Sequence, residues 1–254
     1  MRKEQIEISP MGTFFISRKG DKMNKYRKTK QIAILAMFTA IAFATLFVLR
    51  ISGIGGFLSF DVKDAIIMTA AMLFGPIPGV IISFVVALLE MLTVSGTGPW
   101  GLLMNFVSTA VFVAVGSSIY RYVPRLKKTM LGAVSGLVMS VLFATGTMLL
   151  LNLVVTPIYF NVPVETVKQM MLPLLLPFNL TKSVLNAAIV LMIYKPLSVA
   201  LKRAGVVGVE TEQPEKFKFD WRTVIVLCVG AAIVVAGVLI MIKGLGGEFN
   251  FIKK

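Results

Sequence analysis

The chain has 254 residues, 57% of them hydrophobic and only 15% charged, whereas soluble domains are typically about 45–50% apolar and about 25% charged. It has 26 Lys and Arg against 12 Asp and Glu, no histidine and one cysteine, Cys228, which excludes imidazole catalysis, a histidine metal site and a disulfide framework. The composition predicts an all-α integral membrane protein, in contact with membrane lipid and not nucleic acid, whose formal charge of +14 comes from basic residues at the membrane edges.

Six apolar runs follow one another along most of the chain. A helix needs about 20 apolar residues to cross the hydrocarbon core of a bilayer. The runs cover 31–49, 65–74, 80–94, 101–119, 130–155 and 171–194. The Gly75–Gly79 segment, which contains two prolines, breaks the chain after the second run, and Thr156-Pro157 closes the fifth. Pro173 and Pro177 interrupt the sixth run, and the whole pattern predicts a six-helix transmembrane core.

The predicted boundaries divide the chain into five segments. Glu210, Glu212 and Pro214 are typical of a solvated linker, and a seventh apolar run follows them. The segments are a basic cytoplasmic tail over 1–30, the six-helix core over 31–204, a charged linker over 205–222, a seventh transmembrane helix over 223–243 and a C-terminal tail over 244–254.

Lysine and arginine in the flanks of the runs predict the orientation, because cytoplasmic loops are enriched in these residues. They cluster at 18–30, 121–128 and 195–203, whereas the flanks on the other side also hold acids such as Asp61 and Asp64. We therefore expect both ends of the six-helix core in the cytoplasm. A seventh helix would then place the C-terminus outside.

Among the polar residues within the apolar runs, three are the strongest candidates for a function, because burial of polar groups in lipid is costly and marks a function or a specific partner. Lys182 follows Asn179 by about one helical turn, so both side chains point to one side, and Asn152 falls at the same predicted level of the membrane. An ammonium and two amides there suit a small molecule with carbonyl and hydroxyl groups. Alternatively, Lys182 reaches toward the interface or pairs with a carboxylate such as Glu90, and Asn152 joins two helices.

The loop over 53–64 mixes glycines with apolar side chains, among them Phe57, Leu58 and Phe60. Glycine allows a backbone to approach a ligand closely, so one interpretation is a lid over an apolar pocket. The other interpretation is an amphipathic turn at the membrane interface, and the residues alone favour neither.

Alanines recur every four residues on the first run, at Ala36, Ala40 and Ala44. In lipid, such a stripe of small residues allows two helices to approach closely. The stripe packs either inside the bundle of the chain itself or against a second membrane protein.

Two nucleotide-binding motifs do not apply. Gly96–Gly101 has the spacing G-x-G-x-x-G, but it joins two membrane runs and not a strand to a helix, so we interpret it as a turn. The chain has no G-x-x-x-x-G-K-[ST] segment with which to hydrolyse ATP.

Asn105 and Asn186 are interpreted as packing residues, and the chain is not expected to be an enzyme.

Taken together, these features resemble the S components of energy-coupling factor (ECF) transporters, and among them the riboflavin-specific ones. Besides the six runs, the basic N-terminus and the alanine stripe, four segments carry the resemblance, within a stretch of about 24–203. They are 56–64, 96–101, 152–159 and 177–182.

The resemblance implies a subunit of the bacterial cell membrane that captures riboflavin from outside. Uptake is then driven by a transmembrane coupling protein and two ATP-binding-cassette ATPases, and riboflavin is the transported ligand and not a cofactor. It assigns substrate contact to seven positions, which are Phe57, Leu58, Phe60, Asn152, Tyr159, Asn179 and Lys182. It assigns docking on the coupling protein to Ala36, Ala40 and Ala44.

One departure and two alternatives accompany the resemblance. The family core ends after six helices, whereas this chain adds the run over 223–243. An S component for a different vitamin would differ only in the chemistry of its pocket. A membrane-embedded lipid-modifying enzyme is the alternative from another class, and the absence of histidine argues against it.

Overall fold

The computed structural model describes residues 19–54 and 58–203, so the linker and the seventh apolar run lie outside the described residues. Within these ranges the chain is mostly helical. The helices are α1 (Lys19–Val48), α2 (Lys63–Phe74), α3 (Pro76–Thr93), α4 (Gly98–Tyr122), α5 (Met130–Phe160), α6 (Val164–Met170) and α7 (Leu176–Arg203), with a π-helical segment (Met171–Leu175) between α6 and α7. Two short strands, β1 (Ile51–Ile54) and β2 (Leu58–Phe60), separate α1 from α2.

Five helical stretches of the described residues are long and apolar enough to cross a membrane. They are Thr29–Val48, Pro76–Thr93, Gly98–Tyr122, Met130–Phe160 and Val164–Val199. The remaining predicted run corresponds to α2, whose 12 residues extend only about 18 Å. Ten of them are buried, so α2 is a core helix enclosed by its neighbours. The prediction of a multi-pass, mostly helical membrane protein is thus confirmed, while the exact number of spans remains a prediction.

The break between the second and third apolar runs lies where the sequence predicts it. Gly75 has φ +119°, a conformation that L side chains rarely adopt, and it separates α2 from α3. Its N–H donates to the carbonyl of Ala71, which closes the end of α2. Pro76 then begins α3, where the missing N–H of proline leaves no helical hydrogen bond unmade.

Two expectations about prolines are wrong. Pro157 lies inside α5, which continues to Phe160 and ends at Asn161 in the left-handed conformation. Pro157 lies within the last turn of the helix, so its missing N–H removes only one hydrogen bond, and the helix ends where Asn161 donates to the carbonyl of Pro157. Pro173 does not interrupt the sixth run, because the π-helical segment incorporates it and joins α6 to α7.

The loop that the sequence leaves open between a lid and an interfacial turn contains a small antiparallel hairpin of β1 and β2. Ile51 pairs with Phe60, and Ser52 pairs with Ser59. Leu58 is buried in an apolar cluster with residues of α6, the π-helical segment and α7. The hairpin therefore rests on the end of the helix bundle.

The α4–α5 contact depends on glycine. A Cβ atom on Gly136 would lie 2.7 Å from the carbonyl oxygen of Gly116, so the two backbones approach more closely than any side chain would permit. The hydroxyl of Ser140, one turn further along α5, donates to the carbonyl of Phe112. This close crossing aligns two helices that both contribute residues to the site described below.

Helix α1 presents different faces to the bundle and to its surroundings. Its buried residues recur every four positions and are Ile34, Phe38, Ala42 and Leu46. Ala36, Ala40 and Ala44 are exposed on another face. The alanine stripe therefore does not pack inside the described part of the chain.

Candidate functional site

A cavity of about 350 Å³ lies beneath the hairpin, between the α3–α4 turn, α4, α5 and α7. This volume is within the range of about 300–1,000 Å³ that is usual for small-molecule sites. The described residues that line it are Arg50, Leu58, Ser59, Val94, Ser95, Gly96, Thr97, Trp100, Gly101, Met104, Asn105, Ser108, Met148, Val155, Thr156, Tyr159, Phe160, Phe178, Asn179 and Lys182.

The cavity combines broad apolar surfaces with a few polar groups. Trp100, Met104, Met148 and Phe178 are among its apolar contributors, which suit a flat, largely apolar ligand. Amide, hydroxyl and ammonium groups interrupt these surfaces on α4, α5 and α7. A ligand here would bury an apolar body and satisfy a limited number of directed hydrogen bonds.

Four of the sequence-predicted contact residues line the cavity, namely Leu58, Tyr159, Asn179 and Lys182. Asn179 and Lys182 are buried and reach the cavity from α7, as their spacing predicts. The Nδ2 atom of Asn179 donates to the carbonyl of Leu175 at 2.7 Å, which fixes the orientation of the amide.

Two other predicted residues lie close to the cavity without lining it. The ring of Phe60 packs against that of Phe178, a lining residue, at a centroid distance of 4.7 Å. Asn152 is fully buried, donates to the carbonyl of Met148 at 2.7 Å and accepts a hydrogen bond from Thr156 at 2.9 Å. Met148 and Thr156 both line the cavity, so Asn152 supports the α5 wall from behind. Phe57 lies outside the described residues.

Lys182 pairs with a carboxylate, as the alternative interpretation of the sequence allows, but that carboxylate is Asp61. The Nζ atom of Lys182 donates to Oδ2 of Asp61 at 2.8 Å, and not to Glu90. Glu90 is fully buried, and its Oε2 atom accepts from Lys63 at 2.8 Å. Its Oε1 atom lies 3.3 Å from Nη1 of Arg50.

These contacts join five side chains of alternating charge in the order Arg50, Glu90, Lys63, Asp61 and Lys182, which we call the ion chain. Its central contact is between Nζ of Lys63 and Oδ2 of Asp61, at 3.3 Å. Burial alone would raise the pKa of Asp61, in the loop after β2, but the ammonium groups of Lys182 and Lys63 outweigh this effect and lower the pKa to about 2. Asp61 is therefore a permanent carboxylate at physiological pH.

A third buried carboxylate, Asp64, accepts a hydrogen bond from Thr109 at 2.6 Å. Nearby, Asn186 accepts from the N–H of Ala65 and donates to the carbonyl of Asp61. Asn186 thus joins α7 to the loop between the hairpin and α2, in agreement with its interpretation as a packing residue.

Sequence reasoning missed several lining residues. Arg50 is not among the residues predicted to contact the substrate, and Trp100 lies in the segment interpreted as a turn, yet both line the cavity. Asn105, interpreted as a packing residue, also lines it. A signal was present in Asn105 and Ser108, which follow one another by three positions on one face of an apolar helix, as Asn179 and Lys182 do.

Comparison with known proteins identifies the family of the chain. Residues 30–194 match the family model "ECF transporter, substrate-specific component". "Riboflavin transporter RibU" of Staphylococcus aureus (strain TCH60) is 27% identical over 184 residues, which cover 70% of this chain and 95% of the relative. A solved structure, "Structure and mechanism of the S component of a bacterial ECF transporter", has 28% identity and a TM-score of 0.58 over 69% of this chain and 99% of its own.

The family match covers well over half of the chain, and the structural likeness extends over nearly the whole of the solved S component. The family is a substrate-binding part of a transporter, which confirms that the chain is not an enzyme. The resemblance drawn from the sequence motifs is confirmed as well: the chain belongs to the substrate-specific components of ECF transporters and resembles RibU.

Proposed function

We propose that this S component binds riboflavin from outside the cell and delivers it for uptake driven by partner subunits. The relative from Staphylococcus aureus is a riboflavin transporter and is matched over 95% of its length. The observation that carries the proposal is the cavity, in which aromatic and aliphatic walls meet the amide of Asn179 and the ammonium of Lys182.

The chemistry of riboflavin fits such a site. Its isoalloxazine ring has a broad apolar face and one edge of alternating carbonyl and N–H groups, and its ribityl chain carries neutral hydroxyls. Asn179 can donate to and accept from the ring edge, while Lys182 donates to a carbonyl or a hydroxyl. The apolar walls near Trp100 and Phe178 bury the ring.

The remaining predicted contacts have distinct roles in the proposal. Leu58 and Tyr159 touch the ligand, Phe60 belongs to the hairpin that covers it, and Phe57 is retained as a ligand contact on the basis of the sequence resemblance alone. Asn152 acts through Thr156, whose hydroxyl it orients, which is supported by the 2.9 Å hydrogen bond between them.

The partners in the proposal are a transmembrane coupling protein and two ATP-binding-cassette ATPases, which drive uptake. Ala36, Ala40 and Ala44 form the docking face for the coupling protein. Their exposure on α1 supports this assignment, since small exposed residues allow a partner helix to approach closely in lipid. The proposal includes a six-helix core over 31–204 with its N-terminus in the cytoplasm of a bacterial cell, followed by a linker and a seventh helix.

The test is a riboflavin titration of the purified full chain in detergent, monitored by quenching of flavin fluorescence. Saturable binding at a 1:1 ratio is expected. Isothermal titration calorimetry with thiamine and biotin, which carry no flavin, separates riboflavin from other vitamins. A chain that ignores riboflavin but binds another vitamin would show an S component of different specificity and overturn the proposal.

A further inference from the structure

Two cations face the cavity, and each has a carboxylate behind it. Arg50 and Lys182 line the cavity, whereas their partners Glu90 and Asp61 do not. Among the described lining residues there is no carboxylate. The cavity wall is therefore rich in hydrogen-bond donors, and the compensating negative charge lies in the layer behind it.

Lys63 occupies the centre of that hidden layer. Only 1% of its side chain is exposed, and it does not line the cavity. Its ammonium lies 2.8 Å from Oε2 of Glu90 and 3.3 Å from Oδ2 of Asp61. A buried ammonium is tolerated only where carboxylates surround it, and here it shares the carboxylates that also hold the two cavity cations.

The cavity cations have unused donors. Within the described residues, Nε and Nη1 of Arg50 make no hydrogen bond, although Nη1 lies 3.3 Å from Glu90. Lys182 donates one side-chain hydrogen bond, to Asp61, out of the three that an ammonium can donate. Because Nε and Nη1 of Arg50 are buried and Nη1 pairs with Glu90, the donors that can reach a ligand without breaking an existing contact are those of Nη2 of Arg50 and of the Lys182 ammonium.

We propose that Lys63 is a positioning residue, which occupies Glu90 and Asp61 so that Arg50 and Lys182 keep N–H donors available to the carbonyl and hydroxyl groups of the ligand. This inference rests on the proposed riboflavin function and adds Arg50 to the ligand contacts. Without Lys63, each carboxylate has only one cation to bind. Each carboxylate then draws its cation away from the cavity and competes with the ligand for the N–H donors of that cation.

The ion chain also fixes both ends of the hairpin. Arg50 directly precedes β1, and Asp61 directly follows β2. Arg50 pairs with Glu90 of α3, and Asp61 pairs with Lys182 of α7. Lys63 contacts both carboxylates and so joins the two ion pairs. Lys63 therefore positions the cover of the cavity together with its two cations.

The experiment compares riboflavin affinity in Lys63→Met, Lys63→Gln and the double variant Lys63→Met/Glu90→Gln. We expect each single variant to bind riboflavin about tenfold more weakly, because the spare donors are lost to the carboxylates. Lys63→Gln keeps an N–H donor in the buried site, so it carries the test if Lys63→Met does not fold, with Lys63→Gln/Glu90→Gln as its double variant. Removing the carboxylate of Glu90 releases Arg50, so the double variant is expected to regain at least about threefold in affinity.

Ile67→Val is the matched control, because Ile67 is fully buried one turn further along α2 and has no charged partner. The Ile67→Val variant should bind riboflavin with the affinity of the wild type. If a single variant of Lys63 bound riboflavin with wild-type affinity, this inference would be overturned, while the proposed riboflavin function would stand. A double variant that binds no better than the single variant would also overturn it, since a purely structural role predicts that the two losses add. A wild-type chain that does not bind riboflavin would overturn the proposed function and this inference with it.

Discussion

The Nζ atom of Lys182 lies 2.8 Å from the Oδ2 atom of Asp61, although 121 positions of the chain separate the two residues. The contact connects α7 to the loop that follows the hairpin, at the rim of the cavity. Both side chains are buried, so the charge of Lys182 depends on Asp61, while Asp61 is stabilised by Lys182 and Lys63 together. Folding and the shape of the cavity are therefore coupled through this pair.

Asp61→Asn should destabilise the fold, because it leaves the ammonium groups of Lys182 and Lys63 without a shared counter-charge. Removal of one partner of a buried pair typically costs about 3 kcal/mol or more. Thermal unfolding of the ligand-free protein in detergent measures the effect. The control is Glu165→Gln, since Glu165 pairs with Lys168 at the surface, where 74% and 59% of the two side chains are exposed. Equal melting temperatures for the two variants would contradict the prediction.

Asn179→Ala and Lys182→Met should each weaken riboflavin binding by about 1–3 kcal/mol, because a buried ligand group loses its hydrogen-bond partner. Isothermal titration or flavin fluorescence quenching gives the dissociation constants. Met192→Ala, on an exposed part of α7, is the control and should bind as the wild type does. If both cavity variants retained wild-type affinity, α7 would not provide the polar contacts.

Ala40→Trp should leave riboflavin binding intact and abolish assembly with the coupling protein and uptake, because the large ring prevents the close approach of a partner helix. Co-purification with the coupling subunits and transport into cells provide the two readouts. Val138→Trp introduces the same side chain at an exposed position of α5 and should have no effect on assembly. Normal uptake by Ala40→Trp would rule out the alanine stripe as the docking face.

Gly136→Ala should lower the free energy of unfolding by about 1–3 kcal/mol, because the new methyl group would lie 2.7 Å from the carbonyl oxygen of Gly116. Gly146→Ala in the same helix is the matched control, since a Cβ atom there meets nothing within 4 Å. The control should be as stable as the wild type or slightly more stable, in line with the higher helix propensity of alanine. Melting temperatures in detergent compare the two, and similar losses in both would argue against a tight α4–α5 crossing.

Local features of the fold were predictable because they depend on neighbouring residues. The break at Gly75 follows from backbone conformations that glycine and proline favour. The common side of Asn179 and Lys182 follows from helical periodicity alone. The π-helical segment was not predictable, because one proline in an apolar run is compatible with a break, a kink or a widened turn.

The long-range features could not be derived from one sequence. Lys63 and Glu90 are 27 positions apart, and nothing in the local pattern relates them. The hairpin consists of strands of only four and three residues, which are too short for an alternating pattern to be recognised in the sequence. The direction of the alanine stripe depended on which face of α1 the other helices cover, which only the packed structure reveals.

The spacing of residues on α1 has one more consequence. Its core residues and its alanines both recur every four positions, offset by two, so they occupy two sides of the same rigid rod. Deletion of one residue between Lys30 and Ile34 would rotate the preceding part of the helix by about 100° relative to both the core face and the alanine face. Deletion of one residue between Phe38 and Ala40 would instead rotate one half of the helix relative to the other half. Natural variants of this helix should therefore differ by substitution and not by length.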